Sequence, residues 1–168
     1  MRGVRPQSDN EGETDVASKS KAPATADVDI YKMFGTDENK EQEGIVLNYS
    51  DIFWLRISRA GGSNEHYKKV LTEKLRPYRR AIQTEAITDE MSAKLLREAA
   101  AEGLVLAWGS KKFGDGKMPA KTGEAMDFTV DNVVRFFTDL PDIFQDVQEQ
   151  AGKVSLFRLT EVEADAGN

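Results

Sequence analysis

One histidine, His66, and no cysteine are present among 168 residues, so the side chains that most often do nucleophilic or metal chemistry are nearly absent. A Ser–His or Cys–His relay, or a zinc site of Cys and His ligands, cannot be built from such a set. A lone histidine can serve as a general base only if a neighbouring group orients its ring. His66 lies among polar residues with no carboxylate placed by the sequence to do this, and it reads as a solvated helix residue. Carboxylates are plentiful at 29, but the separation that makes a pair of them catalytic is a property of the fold. Asp139 and Asp142 read as a helix cap and a first-turn charge. Gly114-Asp115-Gly116 looks like a fragment of a calcium loop, but further ligands at regular spacing and a terminal Glu do not follow; a tight turn is the simpler reading. Neither GxxxxGK[ST] nor GxGxxG occurs. No catalytic residue, cofactor site or metal site is therefore expected, and the chain reads as non-enzymatic.

Binding is the remaining chemistry, and two clusters could supply it. Lys68, Lys69, Lys74, Arg76, Arg79 and Arg80 form a basic concentration. It reads as a solvated helix face balancing Glu65, Glu73 and Glu85, or else as a docking patch for an acidic partner or for nucleic acid, the protein partner preferred. The second cluster is aromatic. Phe136 and Phe137 are adjacent, so on a helix they point about 100° apart, and Phe144 adds a third ring nearby. One side of this segment must be core, and core alone is the leading reading of all three rings, with a partner groove as the alternative. In that alternative Leu140-Pro141 turns the chain, and Phe136, Phe137, Leu140, Ile143 and Phe144 are the candidate partner-binding residues, because the three rings would not fit together into one core.

These residues need elements to hold them. Hydrophobic residues make up 39% and charged residues 31%, which suits one soluble domain carrying some polar sequence. The net charge of −6 and pI near 5.0 argue against nucleic acid, where phosphate neutralisation drives affinity. No apolar run approaches the ~20 residues that span a bilayer, and no signal peptide is recognisable, so neither nucleic acid nor membrane is an expected partner. Residues 1–28 contain no Phe, Trp, Tyr, Leu or Ile and read as a disordered polar arm. A single globular α+β domain, mostly helical, is expected over 29–158, followed by an acidic tail at 159–168.

Within that domain, Tyr31 and Phe34 suit one helical turn, and ENKEQE (38–43) reads as a charged connection. GIVLNYSDIFWLRIS (44–58) predicts a β-hairpin turning at NYSD. Phe53, Leu55 and Ile57 would share one face of it, with Ile52, Trp54 and Arg56 on the other, and cover is expected on both. Ser63 or Asn64 would cap a helix to about Arg76, ended or kinked by Pro77. A second helix would run from Thr88 or Asp89 to about Trp108-Gly109, kept thin by Ala99, Ala100, Ala101, Gly103 and Ala107. Residues 109–123 read as a loop. Thr129 would cap the next helix, with Phe128 stapled onto Val133. Asp139 would cap the last helix, with Pro141 in its first turn and Ile143, Val147, Ala151 and Val154 along its stripe.

Five segments, FGTD (34–37), EGIVLNY (43–49), ISRAGGSNEHYKKVL (57–71), FTDLPDIFQDVQEQAGKVSLFR (137–158) and EADAGN (163–168), together resemble the tail assembly chaperones of long-tailed phages and prophages. None of these segments is a chemical signature. The resemblance implies a protein of the host cell cytoplasm that binds the tape-measure and tail-tube proteins during tail morphogenesis, can self-associate, and is absent from the mature virion. The runner-up is a minor structural tail component, a tube or adaptor subunit, retained in the virion.

Overall fold

A computed structural model describes residues 29–159; the expected disordered arm and all of the acidic tail but Leu159 lie outside them. The elements are helices and antiparallel strands, as the α+β reading expects. Two short helices, α1 (Ile30–Phe34) and α2 (Glu38–Glu43), precede the hairpin β1 (Ile45–Tyr49) and β2 (Phe53–Ile57). Ser50 and Asp51 both take positive φ, 51° and 56°, and the Ile52 N–H donates to the Tyr49 carbonyl at 2.9 Å. Asp tolerates this left-handed backbone better than most residues, so the turn falls where NYSD predicts it.

Helix α3 (Glu65–Leu75) is capped by the Asn64 side chain, which accepts from the Tyr67 N–H at 3.1 Å. Pro77 then sits in a 3₁₀ turn, Arg76–Tyr78, leading to α4 (Arg79–Gln83). Helix α5 (Asp89–Gly103) starts at its Thr88 cap. Its small residues let α3 approach closely: a Cβ added at Gly103 would stand 3.1 Å from the Tyr67 Cα. Helix α6 (Val130–Asp139) is capped by Thr129, and α7 (Pro141–Gly152) carries Pro141 in its first turn.

Several expectations are corrected. The 38–43 charge run is helix α2, because the Asp37 carboxylate caps it by accepting from the Asn39 N–H at 2.9 Å. The second long helix does not reach Trp108. It stops at Gly103, and residues 105–110 form strand β3 (Val105–Ser110). Its partner is β2, which would otherwise leave a row of unsatisfied backbone groups along the sheet; pairing aligns Leu55 with Trp108. Residues 109–123 are not simply a loop. They finish β3 and add β4 (Gly114–Asp115) and β5 (Lys117–Pro119), which pairs with β6 (Ala125–Asp127). Phe128 also packs edge-on against Trp108, with ring centroids 5.7 Å apart, a contact the sequence did not point to. Asp139 ends α6, and Leu140 occupies the N-cap of α7 without a side-chain cap bond.

The main sheet has the order β1-β2-β3-β4. Leu55, Ile57 and Trp108 are fully buried in one core cluster with Ala100, Val133, Phe137 and Val147 from the helices and Leu104 from the turn after α5. Rings continue through that core: Phe53 and Trp108 each meet the Phe136 ring edge-on, Phe136 adjoins Phe137, and Phe137 adjoins Phe144. The opposite face of the sheet, expected to be covered as well, leaves Val46, Ile52 and Leu106 exposed.

Truncating Phe137→Ala removes a fully buried ring, and large-to-small changes of this kind cost about 3–5 kcal/mol. Urea denaturation should show a loss of that size. A loss below about 1 kcal/mol would mean that the ring is not packed as described.

Candidate functional site

The two clusters singled out for binding fare differently. In the aromatic cluster Phe136, Phe137 and Phe144 are all buried, Ile143 is half-buried, and Leu140 alone is exposed, at 43%. The idea that adjacent rings could not enter one core is corrected. Strands β2 and β3 take up Phe136 through Phe53 and Trp108, while α7 takes up Phe137 through Phe144. The core lies on both sides of α6, so two ring directions 100° apart are both inward. Leu140 instead borders a shallow pocket with Pro119, Met126 and Phe136.

The basic cluster is partly neutralised within the chain. Lys68 pairs with Glu65 at 2.8 Å, and Lys74 pairs with Glu102 at 2.9 Å. The hydrogen bond to Glu102 raises the Lys74 pKa. Arg76 and Arg79 line a groove of about 410 Å³ together with Leu75 and Ile82. His66 is exposed, and its Nε2–H donates to the Glu102 carbonyl at 3.2 Å. Among the described residues, no group of three or more His, Cys, Asp or Glu is placed to hold a metal ion. No described helix is long and apolar enough to cross a membrane.

Sequence reasoning missed a buried polar node. Glu41, on the inner side of α2, is 1% exposed. Its carboxylate pairs with Arg59 and accepts from the Ser63 N–H at 2.7 Å and the Ser63 hydroxyl at 2.6 Å. Burial alone would raise its pKa. The hydrogen bonds from Ser63, Thr36 and Arg59 outweigh burial and hold it at about 2. Gly62 makes room for this: it takes φ +57°, and a Cβ there would stand 2.5 Å from the Glu41 carboxylate. Next to the node the Asn64 side-chain amide donates to the Ser58 hydroxyl at 2.9 Å and the Arg59 carbonyl at 2.8 Å. The node ties α2, the end of β2 and the start of α3 together, and its groups are satisfied internally; its role is to position. A signal did exist, since Glu41 falls one turn after the Asp37 cap and Ser63 sits in a glycine turn, but sequence does not show that the two meet.

The outer face of the sheet also exposes apolar side chains near these elements. Val46 is 47% exposed, Ile52 62% and Leu106 36%. Trp54, half-buried, lies opposite Gly109, where a Cβ would fall 2.6 Å from the indole. A bulge between Arg56 and Ile57 shifts the register so that Ile57 faces Val105 and Leu106 joins the outer face; bulges of this kind re-aim side chains. Asn48, Ile52, Trp54, Lys111 and Asp115 border a shallow groove of about 330 Å³ on this side. Exposed Asn48 and Arg56 share this face with the apolar residues, so its chemistry is that of a mixed polar and apolar docking surface.

Residues 62–168, well over half of the chain, match the family model described as YdaY prophage protein. The chain belongs to this prophage family. No curated protein and no solved structure matches it. The family segment begins at Gly62, beside the Glu41 carboxylate, and holds α3 to α7 together with β3 to β6. The hairpin that supplies Val46, Ile52 and Trp54 precedes it.

Glu41 has a folded-state pKa of about 2 against an ordinary 4.5. A depressed carboxylate contributes stability that is present above pH 4.5 and is lost as pH falls towards 2, here on the order of 3 kcal/mol. Urea midpoints between pH 7 and pH 3 should therefore fall more steeply for the wild type than for Glu41→Gln, which is already destabilised at pH 7. Parallel pH profiles for the two proteins would show that the carboxylate is not held this way.

Proposed function

We propose that this prophage protein is a non-catalytic tail assembly chaperone that binds the tape-measure and tail-tube proteins during tail morphogenesis in the host cytoplasm. The observation that carries the reading is the uncovered outer face of the sheet. A small acidic protein gains nothing in its own stability from holding Val46, Ile52, Trp54 and Leu106 towards water, whereas such a surface serves a partner. Membership of a prophage family supports a role in phage biology. The five segments that resemble tail assembly chaperones narrow that role to the tail. In this reading the docking surface moves from the Phe136–Phe144 rings, which are spent on the core, to the sheet. The polar node at Glu41 keeps the hairpin rigid, so that the partner meets a pre-formed face and less ordering entropy is lost on binding.

The test is co-expression with the tape-measure protein of the same prophage. Replacing Ile52→Lys together with Leu106→Lys should leave the melting temperature nearly unchanged, since both side chains are exposed. Co-purification should fall by roughly tenfold or more, as truncation of apolar anchors does at interfaces. Undiminished capture would overturn the sheet face as the docking surface. Mass spectrometry of purified particles tests the role itself. A chaperone leaves no copies in mature virions, and abundant copies would make the protein a structural tail component instead.

A further inference from the structure

Strand β1 ends the sheet, and no described strand pairs with its outer side. The other terminal strand, β4, is only two residues long, a common way to blunt an edge. β1 has five residues, IVLNY, without a charge or a proline, and its pairing with β2 runs without a bulge. It therefore lacks the devices that discourage strand addition. Burial points the same way. Ile45, Leu47 and Tyr49 face inward but are only half-buried, while Leu55 and Ile57 beside them on β2 are completely buried. Among the described residues they lack a lateral neighbour on the outer side of β1.

The rest of the chain is poorly suited to supply one. Residues 1–28 and 160–168 contain no Leu, Ile, Phe, Tyr or Trp, so in composition neither stretch matches the apolar row of β1. A second copy does. An antiparallel pair about a twofold axis at Leu47 sets each Leu47 against its counterpart, Val46 against Asn48, and Ile45 against Tyr49. A twofold interface opposes a surface to itself, and an uncharged strand suffers no like-charge clash on meeting its own copy. We infer that this protein dimerises through β1, joining two four-stranded sheets into one of eight. The outer faces then merge into one surface twice as broad. Glu43 and Asp51, at the two ends of the strand, are brought towards each other across the axis, so the dimer tightens as salt screens them. A partner that used basic residues against these acids would instead bind more weakly in salt.

Sedimentation velocity on the full chain across the micromolar range tests the inference. The wild type should be a dimer whose dissociation constant falls as salt rises. Val46→Lys with Asn48→Lys sets lysine against lysine across the axis twice, and should weaken the dimer by roughly tenfold or more with an unchanged melting temperature. Val46→Asp with Asn48→Lys sets opposite charges in the same places, and should restore the dimer. A monomeric wild type overturns the inference and leaves the edge to another occupant. A dimer indifferent to the paired lysines overturns it equally, because the contact would then lie elsewhere.

Discussion

A tryptophan can be buried completely only if its N–H finds an acceptor, and Trp108 meets this condition by donating from Nε1 to the Gly116 carbonyl at 3.1 Å. That bond fixes much else. The backbone of Gly116 must return to β3, and its own N–H donates to the Trp108 carbonyl at 2.8 Å. The glycine-rich segment is thereby folded back as β4 and β5 rather than left as an open loop. The indole then presents edges to Phe128 and Phe136, which seats the start of α6 on the sheet. Through Phe136, Phe137 and Phe144 the same chain of rings reaches α7.

The second constraint is electrostatic. A carboxylate with 1% exposure survives only where charged and hydrogen-bonding partners replace water. Glu41 has Arg59, Ser63 and Thr36 in that role. Tyr49 closes the opposite end of the hairpin, donating from its hydroxyl to the Asp146 carboxylate of α7 at 2.8 Å. The hairpin is thus clamped at both ends by polar contacts and along its inner face by apolar packing. Among the described residues its outer face and the edge of β1 are the parts left without partners, which is the division of labour expected of a rigid binding element.

Much of the domain was legible in local sequence. Asn64, Thr88 and Thr129 cap helices where their side chains predict it, Pro141 opens α7, and NYSD turns the hairpin; each depends on a residue and its near neighbours, and such signals survive into the fold. The errors share a different cause. Val105 to Trp108 continue an acceptable helical stripe after α5, yet β2 offered them a ladder, and tertiary pairing overrode propensity. Met118 and Met126 are buried across the β5–β6 hairpin, although Gly and Pro around them read as a loop.

The binding residues illustrate the same limit. Sequence correctly marked Phe136 and Phe137 as adjacent rings diverging by 100° on a helix, but one helix cannot say how many sides of it are covered. Sheet on one side and α7 on the other made both directions inward. Conversely, the alternation in the hairpin predicted two apolar faces, and only the assembled layers decided that helices cover one of them and leave the other to solvent. Side-chain type and spacing therefore determined the caps, the turns and the absence of cysteine chemistry. Which apolar faces became core was decided by tertiary structure, because burial is a property of what lies opposite a residue and not of the residue itself.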